Sequence, residues 1–221
     1  MPPMNSSSPL LHSLDSLRSS LDPELVEQLQ TIYLSSFPPS EREEFESVIE
    51  GVTAGTRWLS TVERDGQLLS FATGLPLADT DVQYLEYFAT AERARGQGIG
   101  SVLLQFICAY LRSLGNVSGL LMEVQSENTG PVEERPLRRR RIEFYERHDG
   151  RLVGHAPAYC APNLAGEGVV PFHLMWIPIH NQVQSLAGAR LRQSVVSIYR
   201  QCYGRPADDP LLQTVLDGLT A

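Results

Sequence analysis

Cysteine is scarce in this chain. Cys108, Cys160 and Cys202 are odd in number, far apart and in no CxxC pair, so neither a disulfide framework nor a zinc site is expected. The five histidines form no HxxxH or HxH pair, which argues against a metal site. No apolar run approaches the roughly 20 residues that cross a bilayer. Met1-Pro2-Pro3-Met4 has neither the positive nor the apolar region of a secretory leader, so a cytoplasmic protein without membrane attachment is the expectation. A Gly-x-Ser-x-Gly elbow is missing, and so is the Lys-Ser/Thr ending of a nucleotide P-loop, which disfavours serine hydrolysis and ATP or GTP binding. Positive charge is in the minority. A formal net charge of -8 argues against nucleic acid as the main partner. It would suit an amine substrate, although the needs of solubility account for it as well.

What is present is a core large enough for one domain, with 42% of 221 residues apolar. The stretch Tyr84–Leu114 organises it: an apolar strand, a Gly-rich turn, then an amphipathic helix. At its centre stands Arg95-Gly96-Gln97-Gly98-Ile99-Gly100, followed by Ser101. Three glycines in five positions allow backbone angles that other residues resist. The helix begins inside the turn, so its free N–H groups and the positive end of its dipole face the loop. Such a corner binds phosphate groups. A dinucleotide fingerprint would need Gly or Ala where Ser101 stands.

Around this stretch the pattern gives a Ser- and Pro-rich tail over 1–20, frayed or disordered. Asp22-Pro23 starts a helix that runs to about Ser36, and Ser40-x-x-Glu43 reads as a capping box for a second helix that stops at Gly51. Glu41, Glu43 and Glu44 either meet an amine or form a solvated helix face. Arg57–Glu63 and Gln67–Leu77 form a hairpin through Arg64-Asp65-Gly66. Val82–Thr90 and Ser118–Gln125 are further strands. Residues 126–141 are a polar connection in which Pro131 and Pro136 prevent a continuous helix, and a short helix holds Ile142–His148. Arg135 and Arg138–Arg141 suit either an anionic group or a solvated face. A terminal hairpin closes with Val169–Ile179. Residues 181–221 read as two appended helices whose apolar stripes suit core packing or a homodimer.

The Arg-x-x-Gly-x-Gly corner between a strand and a helix, followed by Phe144-Tyr145-x-x-x-x-Gly150, resembles the GNAT superfamily of acyl-CoA N-acyltransferases over roughly residues 24–180. The resemblance implies a GNAT-type α/β fold over 21–180: a mixed, twisted sheet with helices on both faces and a helical C-terminal extension over 181–221. It implies acetyl-CoA as acyl donor, an amine as acceptor and no metal. Backbone N–H groups of Phe88, Ala89 and Thr90 would meet the pantetheine arm. Arg95, Gly96, Gln97, Gly98, Ile99, Gly100 and Ser101 would cradle the diphosphate. Tyr145 would protonate the leaving sulfur. Met122-Glu123-Val124 with Asn128 is similar to the corresponding segment of ribosomal-protein alanine acetyltransferases, in which the glutamate is the base and the asparagine touches the cofactor. Asn128 and Tyr145 are 17 positions apart, against about seven in the usual pattern, a difference too large for one helical turn. That departure leaves the acceptor open.

Charge logic supports the same cast. A lysine-type amine titrates near ~10.4 and must lose a proton to attack a thioester, while the leaving thiolate needs one. Glu123 is the first candidate for base and Glu86, on the strand Val82–Thr90, its rival. If the two strands splay, both glutamates flank one cleft. A non-catalytic acyl-CoA-binding or sensing module is the alternative from a different class.

Overall fold

A computed structural model of the chain describes residues 10–12, 21–180 and 183–220. They fold into two compact units. The first takes the described residues of Met1–Pro38 with Arg42–Gly74 and Tyr87–Ile107. The second takes Pro39–Glu41, Leu75–Glu86 and the described residues of Cys108–Ala221. Of the N-terminal tail only Leu10–His12 is described, as strand β1, and the expectation of a frayed tail otherwise lies outside the described residues.

In the first unit, helix α1 (Pro23–Ser36) begins as Asp22-Pro23 predicts: the Asp22 carboxylate accepts the Glu24 N–H at 3.1 Å. Its inner face carries Leu29, Ile32 and Tyr33. The Tyr33 ring packs on Phe37, Phe45 and Tyr87, with centroids 4.9–5.5 Å away. Helix α2 (Phe45–Thr53) corrects two expectations. The Ser40–Glu43 capping box does not form: Glu44 is the N-cap, without a side-chain cap bond. The Glu43 carboxylate is instead taken by Arg57 at 2.8 Å, and its backbone is held by the Tyr33 and Tyr87 hydroxyls. Gly51 does not stop the helix but lies within it, under the Arg57 side chain, where a Cβ would stand 2.8 Å from Nη1. The turn comes at Gly55, φ +74°. Strands β2 (Trp58–Arg64) and β3 (Gln67–Pro76) pair antiparallel through Asp65 and Gly66, both at positive φ as a two-residue hairpin turn requires. The strand order is β1-β2-β3-β4, with β4 at Val82–Thr90.

The second unit is a mixed sheet. The first half of β4 runs parallel to β5 (Gly119–Gln125), and β5 pairs antiparallel with β8 (Val169–Pro178). Strand β8 also carries β6 (Arg151–Leu152) and β7 (Cys160–Pro162). Helix α3 (Ile99–Ser113), whose residues up to Ile107 belong to the first unit, ends just before Gly115 at φ +75°. Helix α4 (Arg135–Glu146) starts earlier than expected, because Pro136 falls in its first turn, where the missing N–H has no partner to lose. Helices α5 (Gly188–Cys202) and α6 (Pro210–Asp217) bury their stripes. Leu191, Val195, Ile198, Leu212 and Val215 join Tyr84, Leu121, Leu174 and Trp176 in one apolar cluster. Asp209 caps α6 by accepting the N–H groups of Leu211 and Leu212 at 2.9 and 3.0 Å.

Candidate active site

In the first unit the end of β4 is pinned before the glycine turn begins. Ser70 Oγ donates to the Ala89 carbonyl at 2.7 Å and lies 3.1 Å from Thr90 Oγ1, while the Ala91 N–H reaches the Leu69 carbonyl at 2.8 Å. Arg95 Nε turns back to the Thr90 carbonyl at 3.2 Å, and Gln97 Nε2 donates to the Arg93 carbonyl at 2.8 Å. Both side chains thereby brace the corner. Gly96 and Gly98 have φ of +75° and +79°, and a Cβ on either would meet no atom within 4 Å. They are needed for their backbone angles, not for room. Ile99 is buried and anchors α3, and the Val102 N–H reaches back to the Gly98 carbonyl at 3.1 Å. The amides of Ile99, Gly100 and Ser101 precede it and have no acceptor within the helix. An exposed turn with open space above it and helix amides beside it fits a diphosphate. Phe88 is half-buried on the same strand.

The carboxylates belong to the second unit. The paired register of β4 and β5 runs from Val82 with Gly119 to Leu85 with Met122. Glu86 and Glu123 are the next residue on each strand, where that pairing ends. Glu123 is half-buried, and its two oxygens take different tyrosines: Oε1 accepts the Tyr159 hydroxyl, and Oε2 the Tyr203 hydroxyl at 2.5 Å. Burial raises the Glu123 carboxyl above its ordinary value. The Tyr159, Tyr203 and Tyr84 hydroxyls oppose that rise, and the negative charge of Glu41 adds to it. The Tyr84 phenol is itself held up by burial and by the charges of Glu123 and Glu86. Glu41 is also raised by burial, and it accepts from Gln125 Nε2, whose amide oxygen takes Arg141 Nη1 at 2.6 Å. Among the three acidic residues of that segment, therefore, Glu41 is drawn inward, Glu43 pairs with Arg57 and only Glu44 is fully exposed.

Tyr145 lies near the end of α4, its ring 5.2 Å from that of Phe144. Burial pushes its phenol up, with Arg141 opposing, so the hydroxyl keeps its proton at neutral pH. Gly150 is tucked against this helix end. Its N–H donates to the Tyr145 carbonyl at 2.8 Å, and a Cβ there would stand 2.7 Å from that oxygen. Asn128 is exposed, in a turn where its N–H meets Ser126 Oγ at 3.3 Å. The arginine run divides by direction. Arg138 is only 8% exposed and ties the 126–130 turn to the helix, bonding the Ser126 and Thr129 carbonyls and Glu134. Arg139 pairs with Glu143 at 3.2 Å on the outer face.

Sequence reasoning missed the tyrosines around Glu123. One signal was available: Tyr199 and Tyr203 are four apart, the spacing of neighbours on one side of a helix, although Tyr203 itself is the C-cap of α5. Among the described residues no helix is long and apolar enough to cross a membrane, and no group of His, Cys, Asp and Glu is placed to hold a metal ion.

Comparison with known proteins bears on the family and the fold. Residues 24–150 match the model of the acetyltransferase (GNAT) family. No curated protein matches the sequence. A GNAT-family protein from Bacteroides thetaiotaomicron is 25% identical with a TM-score of 0.62, over 81% of this chain and 92% of that one. The ribosomal-protein-S18-alanine N-acetyltransferase from Escherichia coli is 19% identical with a TM-score of 0.54, over 82% and 97%. An aminoglycoside 6'-N-acetyltransferase complexed with coenzyme A is 18% identical with a TM-score of 0.57, over 77% and 97%. The last two show likeness of fold. The family match spans more than half the chain, and with it this protein belongs to the acetyltransferase (GNAT) family of enzymes.

Proposed function

We propose that the protein is an N-acetyltransferase that moves an acetyl group from acetyl-CoA directly to a primary amine, both bound at once. The observation that carries this reading is Glu123: a carboxyl raised by burial, at the end of the β4–β5 ladder, with Glu86 the residue that follows the last paired position of β4. A carboxylate whose pKa lies above the ordinary range is a better base near neutral pH.

Acetyl-CoA supplies the acyl group as an activated thioester. The amides of residues 99–101, opened by Gly96 and Gly98, hold its diphosphate, and the end of β4 at Phe88–Thr90 holds its amide-bearing arm. Arg95 and Gln97 brace the corner through the Thr90 and Arg93 carbonyls. Glu123 accepts the proton that the amine loses as its nitrogen bonds the acyl carbon, with Glu86 as the neighbouring carboxylate. Tyr145, which keeps its proton, gives it to the sulfur as the C–S bond breaks. Asn128, at an exposed turn, is the further candidate for contact with the donor that the resemblance supplies.

The test is free-thiol release from acetyl-CoA offered a polyamine, an aminoglycoside, free amino acids and a peptide with an N-terminal alanine. All 18 basic residues of the chain are arginines, so no side-chain amine of the protein competes as acceptor. With the best amine, Glu123→Gln and Tyr145→Phe should each lower the rate by about 100-fold or more, the usual scale of general acid–base catalysis. Wild-type rates and pH dependence in both variants would rule these roles out.

A further inference from the structure

We propose that Tyr203, together with Tyr159, is a positioning residue: their hydroxyls hold the two oxygens of Glu123 in place for proton transfer, making the C-terminal end of α5 a working part of the site. This rests on Glu123 being the base.

The geometry is specific. Each carboxylate oxygen has two lone-pair directions. Tyr159 fills one on Oε1 and Tyr203 one on Oε2, and the Tyr84 hydroxyl also bonds the carboxylate, which leaves one direction for an incoming amine. Both phenols are fixed by their surroundings. Tyr159 is 3% exposed, and its backbone is tied to Ala156 and Phe172. Tyr199, one turn before Tyr203 on α5, is buried and donates to the Cys160 carbonyl at 2.5 Å. Its ring meets Tyr159 and Tyr203 edge-on at 6.4 and 5.6 Å. Tyr203 therefore cannot swing away without disturbing that stack. A buried carboxylate left alone would rotate and would hold its proton too firmly. Two neutral donors fix its plane and favour its charged form without competing as ion-pair partners.

The groups that bear on Glu123 come from several elements: Tyr84 on β4, Tyr159 before β7, Tyr203 at the C-cap of α5, and Glu41 from the turn at 39–41. Cys160 and Tyr199 sense its charge, and Tyr84 senses Glu86 as well. Burial and Glu41 push the carboxyl up, and the phenols pull it down. Removing the Tyr203 hydroxyl takes away a donor to the charged form, so the Glu123 midpoint must move to higher pH.

The experiment uses the full chain labelled with carboxyl-¹³C glutamate. The Glu123 resonance is identified by its absence in Glu123→Gln, and its midpoint is followed in wild type, Tyr203→Phe and protein carrying 3-fluorotyrosine at 203. Tyr203→Phe should raise the midpoint by about one pH unit, the size expected for one hydrogen bond to a charged group. Fluorotyrosine, a stronger donor, should lower it. The acid limb of kcat/KM for the best amine of the panel should shift with the midpoint, with the rate recovering above it. If Tyr203→Phe fails to fold, the fluorotyrosine protein decides. An unmoved midpoint, or a rate lost equally at every pH with the limb in place, overturns the role of Tyr203. Wild-type turnover in Glu123→Gln would instead overturn the base assignment while leaving the midpoint shift measurable.

Discussion

In the proposed reaction a single carboxyl concentrates most of the chemistry. Glu123 titrates higher in the folded chain than the ordinary 4.5, chiefly because it is buried. A group raised in this way binds its proton more tightly when folded. Its contribution to stability is complete below the unfolded value and is lost as pH rises through the folded one. The melting temperature of wild type, taken relative to Glu123→Gln, should therefore fall as pH is raised from about 4.5 toward neutrality. Thermal melts of both proteins across that range check it, and a difference that stays flat or grows would contradict it. The resemblance of Met122-Glu123-Val124 to an acetyltransferase segment singled out this residue, and the place of Glu86 on the strand before the glycine corner made it the rival. The hydroxyls that hold it were not legible, because Tyr159 is 36 positions away and Tyr203 is 80. No local pattern reports a contact across such distances.

Element boundaries were readable wherever one residue decides them. Asp22-Pro23 and Asp209-Pro210 start helices, and Asp65-Gly66 turns a hairpin, because each has a local geometric role. The capping box at Ser40–Glu43 misled because Arg57, across a chain reversal, takes the carboxylate the box needs. Pro136 misled because the same residue that breaks a helix interior is tolerated in its first turn. Two glycines separate the reasons for smallness. Gly98→Ala forces a side chain into the left-handed region, at about 1–2 kcal/mol, and should also weaken acetyl-CoA binding if the corner holds the diphosphate. Gly119→Ala keeps an ordinary backbone but puts a Cβ 2.1 Å from the Trp176 ring. The overpacking should cost about 1–3 kcal/mol and leave acetyl-CoA binding of the folded fraction unchanged. Urea unfolding and calorimetric titration distinguish the two outcomes. Equal loss of affinity in both would show that the corner has no special role.

At the level of the whole molecule, the sequence pattern identified two late amphipathic helices but not what they cover. Their stripes meet Tyr84, Leu121 and Trp176, residues drawn from three separated strands. A chain cut after Leu186 would expose that face. It should melt without a cooperative transition, and its tryptophan emission should shift to the red as water reaches Trp176, whose N–H otherwise donates to the Val183 carbonyl. A truncated chain with a sharp transition would show the helices to be dispensable to the core. The Glu123–Tyr203 bond closes a loop of 80 residues, and contacts between distant positions form slowly because chain entropy opposes closing long loops. Since chains emerge N-terminus first, a ribosome translating this message would extrude the glycine corner and both glutamates well before the residue that secures one of them. If Glu123 is the base, its acid–base competence would thus wait until residue 203 has emerged, so a nascent chain shorter than that would be a poor catalyst.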